Sequence, residues 1–101
     1  MKNEFEIEIT SETYLDLKEI LEWYSIQKEG LEKEFSLSFE ATLNRIERNP
    51  LGYQIVYNGA RSAFLQRFPY KVYYKTYGRT IKIYSILHHS RNPKLIRKRI
   101  K

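Results

Sequence analysis

The sequence predicts an α+β fold: a strand, a helical hairpin and then an antiparallel meander of three or four strands, with the helices packed on one sheet face. Three observations support this prediction. The N-terminus alternates acidic and apolar residues, residues 11–48 repeat apolar side chains at helical spacing, and β-forming runs separated by turn residues follow Pro50. With 101 residues, the chain is expected to form a single domain spanning 1–101.

The first strand and helix are predicted from two different periods. Residues 4–9 alternate apolar and acidic side chains, the pattern of a half-buried strand. Thr10 and Ser11 can cap a helix that runs to about Lys28, and Gly30 stops it. The apolar residues that support this helix are Tyr14, Leu17, Ile20, Leu21 and Tyr24.

A second amphipathic helix follows the glycine. Its apolar side carries Leu31, Phe35, Phe39, Leu43 and Ile46. Asn49 and Pro50 close it, because the residue before a proline avoids the helical region. Two antiparallel helices joined at Gly30 form a hairpin.

The β-forming runs predict the strands of the meander. They cover residues 53–57, 61–68, 70–77 and 80–89, with turns at Asn58-Gly59, at Pro69 and at Gly78-Arg79. A basic tail, 94–101, closes the chain and is expected to form one or two helical turns or to stay mobile.

The last hairpin can be assigned a register. Glycine at the first position of the Gly78-Arg79 loop predicts a type II′ turn. One face should then pair Tyr77 with Thr80, Lys75 with Lys82, Tyr73 with Tyr84 and Lys71 with Ile86. The other face, toward the helices, should pair Thr76 with Ile81, Tyr74 with Ile83, Val72 with Ser85 and Tyr70 with Leu87. His88 would extend the exposed face, where two lysines oppose each other, and His89 would point toward the core.

Composition limits the class of protein. The chain has no cysteine and no long apolar run, so we expect a cytoplasmic protein with no disulfide and no membrane segment. Neighbouring strand residues point to opposite faces, so His88 and His89 do not form a joint metal site, and no metal or cofactor is expected.

Charge divides the chain into two parts. No acidic residue follows Glu47, whereas lysine and arginine fill the second half. That half suits a polyanion, a phosphate-bearing substrate or an acidic protein, with a merely solvated surface as the alternative.

The meander carries the candidate functional residues. A histidine side chain can donate or accept a proton and an arginine offers a planar fork, so His88 and Arg91, together with fixed lysines, would suit metal-free RNA cleavage. The candidate catalytic set is His88, Arg91, Lys75, Lys82 and Tyr84. His88 as an ordinary sheet-edge residue is the alternative, and tyrosine and arginine also anchor protein interfaces.

At these residues the sequence resembles the RelE/ParE superfamily of toxins from type II toxin-antitoxin modules. The resemblance lies in Arg61 opening a strand, in the run RFPYKVYYKTYGRTIKIYSILHHSRNP, and in its His-x-x-Arg-x-Pro ending at His88 and Arg91. It implies a growth-inhibiting toxin whose partner is an antitoxin that wraps it with an amphipathic, acidic segment.

Two targets are open within that superfamily. RelE-like members cut mRNA on the ribosome and ParE-like members poison DNA gyrase. No tyrosine follows HHSRNP, which favours the ParE-like branch. The many basic side chains are consistent with RelE-like endoribonuclease activity, which is the alternative. The residues expected to bind nucleic acid or the target are Arg61, Arg67, Lys71, Tyr73, Lys94 and Arg97. A non-toxic nucleic-acid- or partner-binding module is the remaining alternative.

Overall fold

The computed structural model describes residues 5–100 and places a five-stranded sheet against two helices within them. The first predicted strand residue, Glu4, lies outside the described part. The elements are β1 (Glu6–Ile9), α1 (Ser11–Gln27), α2 (Leu31–Arg48), β2 (Ile55–Tyr57), β3 (Ala60–Phe64), β4 (Tyr70–Tyr77), β5 (Thr80–His88) and a C-terminal 3-10 helix (Pro93–Lys98).

The strands are arranged in the order β1-β5-β4-β3-β2. β1 runs parallel to β5, and the other neighbours are antiparallel. The helical hairpin lies between β1 and β2 in the chain and packs on one face of the sheet. The predicted α+β class and its two-layer arrangement are therefore confirmed.

Local chemistry explains where the helices begin. The Thr10 hydroxyl caps α1 by accepting from the backbone N–H of Thr13 at 3.1 Å. The buried hydroxyl of Thr13 donates to the Ile83 carbonyl of β5 at 3.0 Å, which ties the first turn of α1 to the sheet. Gly30 adopts a left-handed φ of 88° just before α2, a conformation that favours glycine.

Two hairpin turns follow the predicted chemistry. Asn58 and Gly59 have φ values of 47° and 81°, so both central residues are left-handed, as a type I′ turn requires. In the β4–β5 hairpin Gly78 has φ 58° and Arg79 is not left-handed, in agreement with the predicted type II′ turn.

The predicted register of the β4–β5 hairpin is right near the turn and wrong beyond it. Pairing runs as predicted from Tyr77 opposite Thr80 to Tyr74 opposite Ile83. A bulge then intervenes, and Tyr73 pairs with Ser85 instead of Tyr84. The pairs that follow are Val72 with Ile86, Lys71 with Leu87 and Tyr70 with His88. The extra residue lies on β5. Relative to the predicted register, every later side chain of β5 therefore points to the other face of the sheet.

The helix-side core contains Phe35, Ile46, Tyr74, Ile81 and Ile83, all fully buried. A second cluster lies on the opposite sheet face, where Tyr73 and Tyr84 are covered by Ile96 and Ile100. Both isoleucines are buried to within 2% exposure. Residues 93–100, which we call the C-terminal segment, thus pack on the sheet face that was predicted to be exposed to solvent.

Candidate functional site

The predicted catalytic residues lie at two separate places. Lys75 and Lys82 are directly opposite each other on the sheet face that lies away from the helices. Their ammonium groups lie 5.6 Å from the ring centroid of Tyr77 and 5.5 Å from that of Tyr84. Glu8 lies opposite Lys82 in the β1–β5 ladder, and its carboxylate is 3.8 Å from the ammonium. Glu8 therefore supplies the anion that reduces repulsion in the lysine pair.

Tyr84 occupies the bulge and is only 9% exposed. Its hydroxyl is hydrogen-bonded to the hydroxyl of Tyr77 at 2.7 Å. Burial, reinforced by that hydrogen bond, raises the pKa of Tyr84 above its usual value. A buried phenol that holds its proton this firmly is poorly suited to proton transfer near neutral pH.

His88 lies on the other face, contrary to the prediction that it extends the lysine face. The bulge turns it toward the helix side, where its ring packs edge-on against Tyr70 with centroids 5.2 Å apart. The ring of His89 stacks on His88 at 4.8 Å and is exposed, so the prediction that His89 points into the core is also wrong. Strand β5 ends at His88, so its alternation does not extend to His89.

The imidazole of His88 is held by the turn that follows it. Its Nδ1 accepts from the backbone N–H of Ser90 at 3.1 Å and is 2.7 Å from the Ser90 hydroxyl. Nδ1 is therefore an acceptor, and the neutral ring carries its proton on Nε2. The histidine and Arg91 both border a cleft of about 540 Å³ at the β5 edge, the edge cleft, whose walls include Asp16, Trp23, Tyr70, His88, Arg91 and Lys98.

An ion pair in the edge cleft was missed by sequence reasoning. Arg99 donates to the two carboxylate oxygens of Asp16 at 2.6 and 2.9 Å, in a bidentate arrangement. Asp16 also accepts from the backbone N–H of Ile86, and Arg99 donates to the Tyr84 carbonyl at 3.1 Å. The hydrogen bond to Asp16 raises the pKa of Arg99. Since 83 positions separate the partners, no local pattern marks the pair.

The predicted target-binding residues are dispersed over the molecule. Arg61 donates to the Tyr53 carbonyl at 2.6 Å. Arg67 bonds to the Glu34 carboxylate of α2 at 2.7 Å from a left-handed backbone with φ 73°. Tyr73 is 4% exposed under the C-terminal segment. Burial raises the pKa of Tyr73. Its covered ring is not available to stack on a nucleic-acid base.

The remaining three are available to a partner. Lys71 places its ammonium 4.8 Å from the Phe64 ring centroid. Arg97 stacks on the Tyr57 ring at 5.1 Å, and Lys94 is exposed at the start of the 3-10 helix.

A groove of about 780 Å³, with both polar and apolar walls, runs beside β2 and β3. We call it the β3 groove; its exposed apolar side chains are Ile55, Val56 and Phe64, at 54%, 40% and 60% exposure. Arg45 and Lys71 line the same groove, and Arg45 donates to the Phe64 carbonyl at 3.0 Å. An exposed apolar surface with cationic neighbours suits an acidic amphipathic segment.

Within residues 5–100, the acidic and histidine side chains form no group of three or more that could hold a metal ion. No helix in the same range combines the length and apolar character needed to cross a membrane.

Comparison with known proteins gives a family. Residues 7–93 match the model of the family described as the ParE toxin of the type II toxin-antitoxin system parDE. A solved structure described as the chromosomal ParDE toxin-antitoxin system from P. aeruginosa superposes with a TM-score of 0.70 at 20% identity. The superposition covers 86% of this chain and 98% of that chain, and at this identity it shows a shared fold. No curated protein matches the sequence.

Proposed function

The chain belongs to the ParE toxin family of type II toxin-antitoxin systems, and from that premise we propose that it arrests growth by poisoning DNA gyrase. As a toxin of this kind it has a cognate antitoxin as its partner. Gyrase poisoning is the action expected of the ParE-like branch from the resemblance in the second half of the sequence. Such a target implies action in the cytoplasm, the compartment expected from the composition.

The division of the predicted catalytic set is the observation that favours gyrase over mRNA. Acid-base cleavage of RNA requires the proton donor, the base and the phosphate-binding cations within hydrogen-bond reach of one phosphate. His88 faces the helix side beside Tyr70, whereas Lys75, Lys82 and Tyr84 lie on the opposite face or in the bulge. This separation supports a toxin that acts by binding a protein target.

We assign the β3 groove to the antitoxin. Its exposed apolar side chains can bury the apolar side of an amphipathic segment, and Arg45 and Lys71 can pair with acidic residues of that segment. The exposure of Phe64 makes it the largest apolar surface available there to a partner.

The target is tested by inducible expression of the wild type and of a His88→Ala/Arg91→Ala variant. Growth, mRNA integrity and gyrase-linked DNA breaks are sampled from the same cultures. We expect arrest with broken DNA and intact mRNA in both, because neither substituted side chain is required by this proposal.

Two outcomes would contradict the proposal. Cut mRNA that the double substitution abolishes would establish the endoribonuclease instead. Normal growth of cells that contain the folded wild-type protein, at a level equal to that of the variant, would indicate a non-toxic binding module.

A further inference from the structure

The C-terminal 3-10 helix sorts its side chains into three rows, because residues three apart eclipse each other in this geometry. Ile96 and Arg99 form the inner row. Ile96 is buried, and Arg99 donates to the Asp16 carboxylate. Leu95 and Lys98 form a second row, which lines the edge cleft. Lys94 and Arg97 form the third row, and both are exposed to solvent.

The third row is held in position by its surroundings. Arg97 lies over the Tyr57 ring, with its guanidinium carbon 5.1 Å from the centroid, so its fork is oriented before any ligand arrives. The Asn92 side chain accepts from the backbone N–H of Lys94 at 2.9 Å, which caps the first turn. Ile96 and Ile100 anchor the segment in the second apolar cluster. Less side-chain and backbone freedom is therefore lost on binding than for a mobile tail.

No carboxylate neutralises this row among residues 5–100. The ion pairs formed there involve Arg67, Lys82 and Arg99, and no acidic residue occurs after Glu47 in the sequence. Adjacent unpaired cations on a fixed backbone repel each other and attract a polyanion.

We propose that Lys94 and Arg97 bind the phosphate backbone of duplex DNA. The choice of duplex DNA among polyanions rests on the proposed function, since gyrase works on a DNA duplex. Lysine and arginine supply the charge and the hydrogen-bond donors that phosphate oxygens accept. The Tyr57 ring beside the row is stacked under Arg97.

The test is the salt dependence of duplex binding by the purified toxin. A fluorescent duplex of about 20 base pairs is titrated by anisotropy at several salt concentrations, with wild type and Lys94→Gln/Arg97→Gln. Each lost phosphate contact lowers the slope of log affinity against log salt by about 0.9. The slope for the double variant should therefore be smaller by about 1.8. Between roughly 50 and 200 mM salt, the affinity of the double variant should fall by a factor about 12-fold smaller than the affinity of wild type.

A matched control carries the same change of charge on the helical layer. Lys18→Gln/Lys33→Gln alters two exposed lysines of α1 and α2 and should leave the slope close to wild type. Truncation of residues 94–101 is a poorer test, because it also removes the buried Ile96 and Ile100. Equal thermal unfolding of all three proteins shows that the comparison concerns binding and not folding.

Several results would overturn the inference. They are absent duplex binding at low salt, a slope unchanged by Lys94→Gln/Arg97→Gln, or an equal loss in the control. Loss of binding to poly-glutamate with duplex binding intact would assign the row to an acidic protein instead. Duplex binding through this row by a toxin that fails to poison gyrase would refute the proposed function and leave the DNA contact standing.

Discussion

Tyr74 combines full burial with a single specific hydrogen bond. It is 0% exposed in the helix-side core, and its hydroxyl donates to the Pro50 carbonyl at 2.6 Å. That bond fixes the loop after α2 to the centre of the sheet and satisfies the one polar atom of the ring. Burial raises the pKa of Tyr74 to about 12.

The raised pKa predicts a loss of stability in alkali. In the unfolded chain the phenol ionises near pH 10, whereas in the folded protein it stays neutral to about pH 12. Its contribution is therefore fully present below about pH 10 and declines as the pH rises toward 12. Between roughly pH 9 and pH 11, wild type should lose about 1 kcal/mol more free energy of unfolding than Tyr74→Phe.

Urea unfolding of both proteins at the two pH values measures this difference. At neutral pH the variant should be less stable by about 1 kcal/mol, the typical contribution of one hydrogen bond. An identical loss for both proteins in alkali would show that Tyr74 ionises as freely in the folded state as in the unfolded state.

His88 shows where residue-level prediction failed. The sequence correctly singled out the histidine, but it assigned the wrong face, because period-2 alternation assumes an uninterrupted strand. The bulge at Tyr84 breaks that assumption. No residue type in YSILHH marks a bulge by itself, and the bulged residue, Tyr84, packs against residues of the C-terminal segment that are distant in sequence.

At the scale of elements, the edge of β5 is protected by an ion pair instead of a strand. β1 pairs with β5 only from Thr80 to Ile83. Beyond that point Asp16 accepts from the Ile86 N–H, and Arg99 donates to the Tyr84 carbonyl. The pair thus occupies backbone groups that an unprotected edge would offer to another chain, and it joins α1 to the C-terminal segment.

Breaking this pair should destabilise the fold. The two side chains are 15% and 23% exposed, so removing one partner leaves a poorly solvated charge. Asp16→Ala and Arg99→Ala should each cost about 3 kcal/mol, and the double variant clearly less than their sum. Urea unfolding of the four proteins of the double-mutant cycle measures the coupling.

Glu12→Ala is the matched control for this cycle. Glu12 lies 3.9 Å from Arg99 and is 60% exposed, so its loss should cost under about 1 kcal/mol. Additive effects of Asp16→Ala and Arg99→Ala would contradict the view that the pair acts as one unit.

The β3 groove gives a prediction for neutralisation. Phe64→Glu places a negative charge in the surface assigned to the acidic segment of the antitoxin. The variant should still arrest growth, while its affinity for the antitoxin falls by at least about tenfold, or 1.4 kcal/mol. Co-expression of the antitoxin and a direct binding measurement would show the two effects.

Leu37→Glu is the comparison variant, because Leu37 is a 68% exposed apolar residue on α2. It should retain normal neutralisation. Full neutralisation of Phe64→Glu would remove the β3 groove from the antitoxin interface.

The elements themselves were largely predictable. Thr10, Gly30 and Pro50 marked the helix ends because capping, left-handed and proline effects act locally. The turns at Gly59 and Gly78 were equally local. The parallel pairing of β1 with β5 and the docking of the C-terminal segment depend on contacts between distant positions, which periodicity does not encode.

At the scale of the whole molecule, charge is separated along the chain. Residues 1–48 carry all twelve carboxylates and six lysines or arginines, whereas residues 49–101 carry twelve lysines or arginines and no carboxylate. The fold places the helical hairpin on one face of the sheet and the C-terminal segment on the other. An approaching polyanion or acidic antitoxin is thus attracted toward the sheet and the C-terminal segment and repelled by the helical layer.

The predicted superfamily agrees with the family match, because its motifs lie within the matched residues. The sequence did not predict that the C-terminal segment covers the sheet face opposite the helices. Ile96 and Ile100 stand in a strongly basic tail, and composition alone predicts solvation for such a segment. Their burial follows from the apolar surface that Tyr73 and Tyr84 present on that face.

The most direct test of gyrase as the target uses purified components. Gyrase, supercoiled plasmid and ATP are incubated with the toxin, and covalently trapped, cleaved DNA is measured with and without the antitoxin. We predict that the toxin increases trapped cleaved DNA, that His88→Ala/Arg91→Ala does so equally, and that the antitoxin prevents it. Unchanged gyrase activity, together with cleavage of ribosome-bound mRNA by the same preparation, would contradict the proposal.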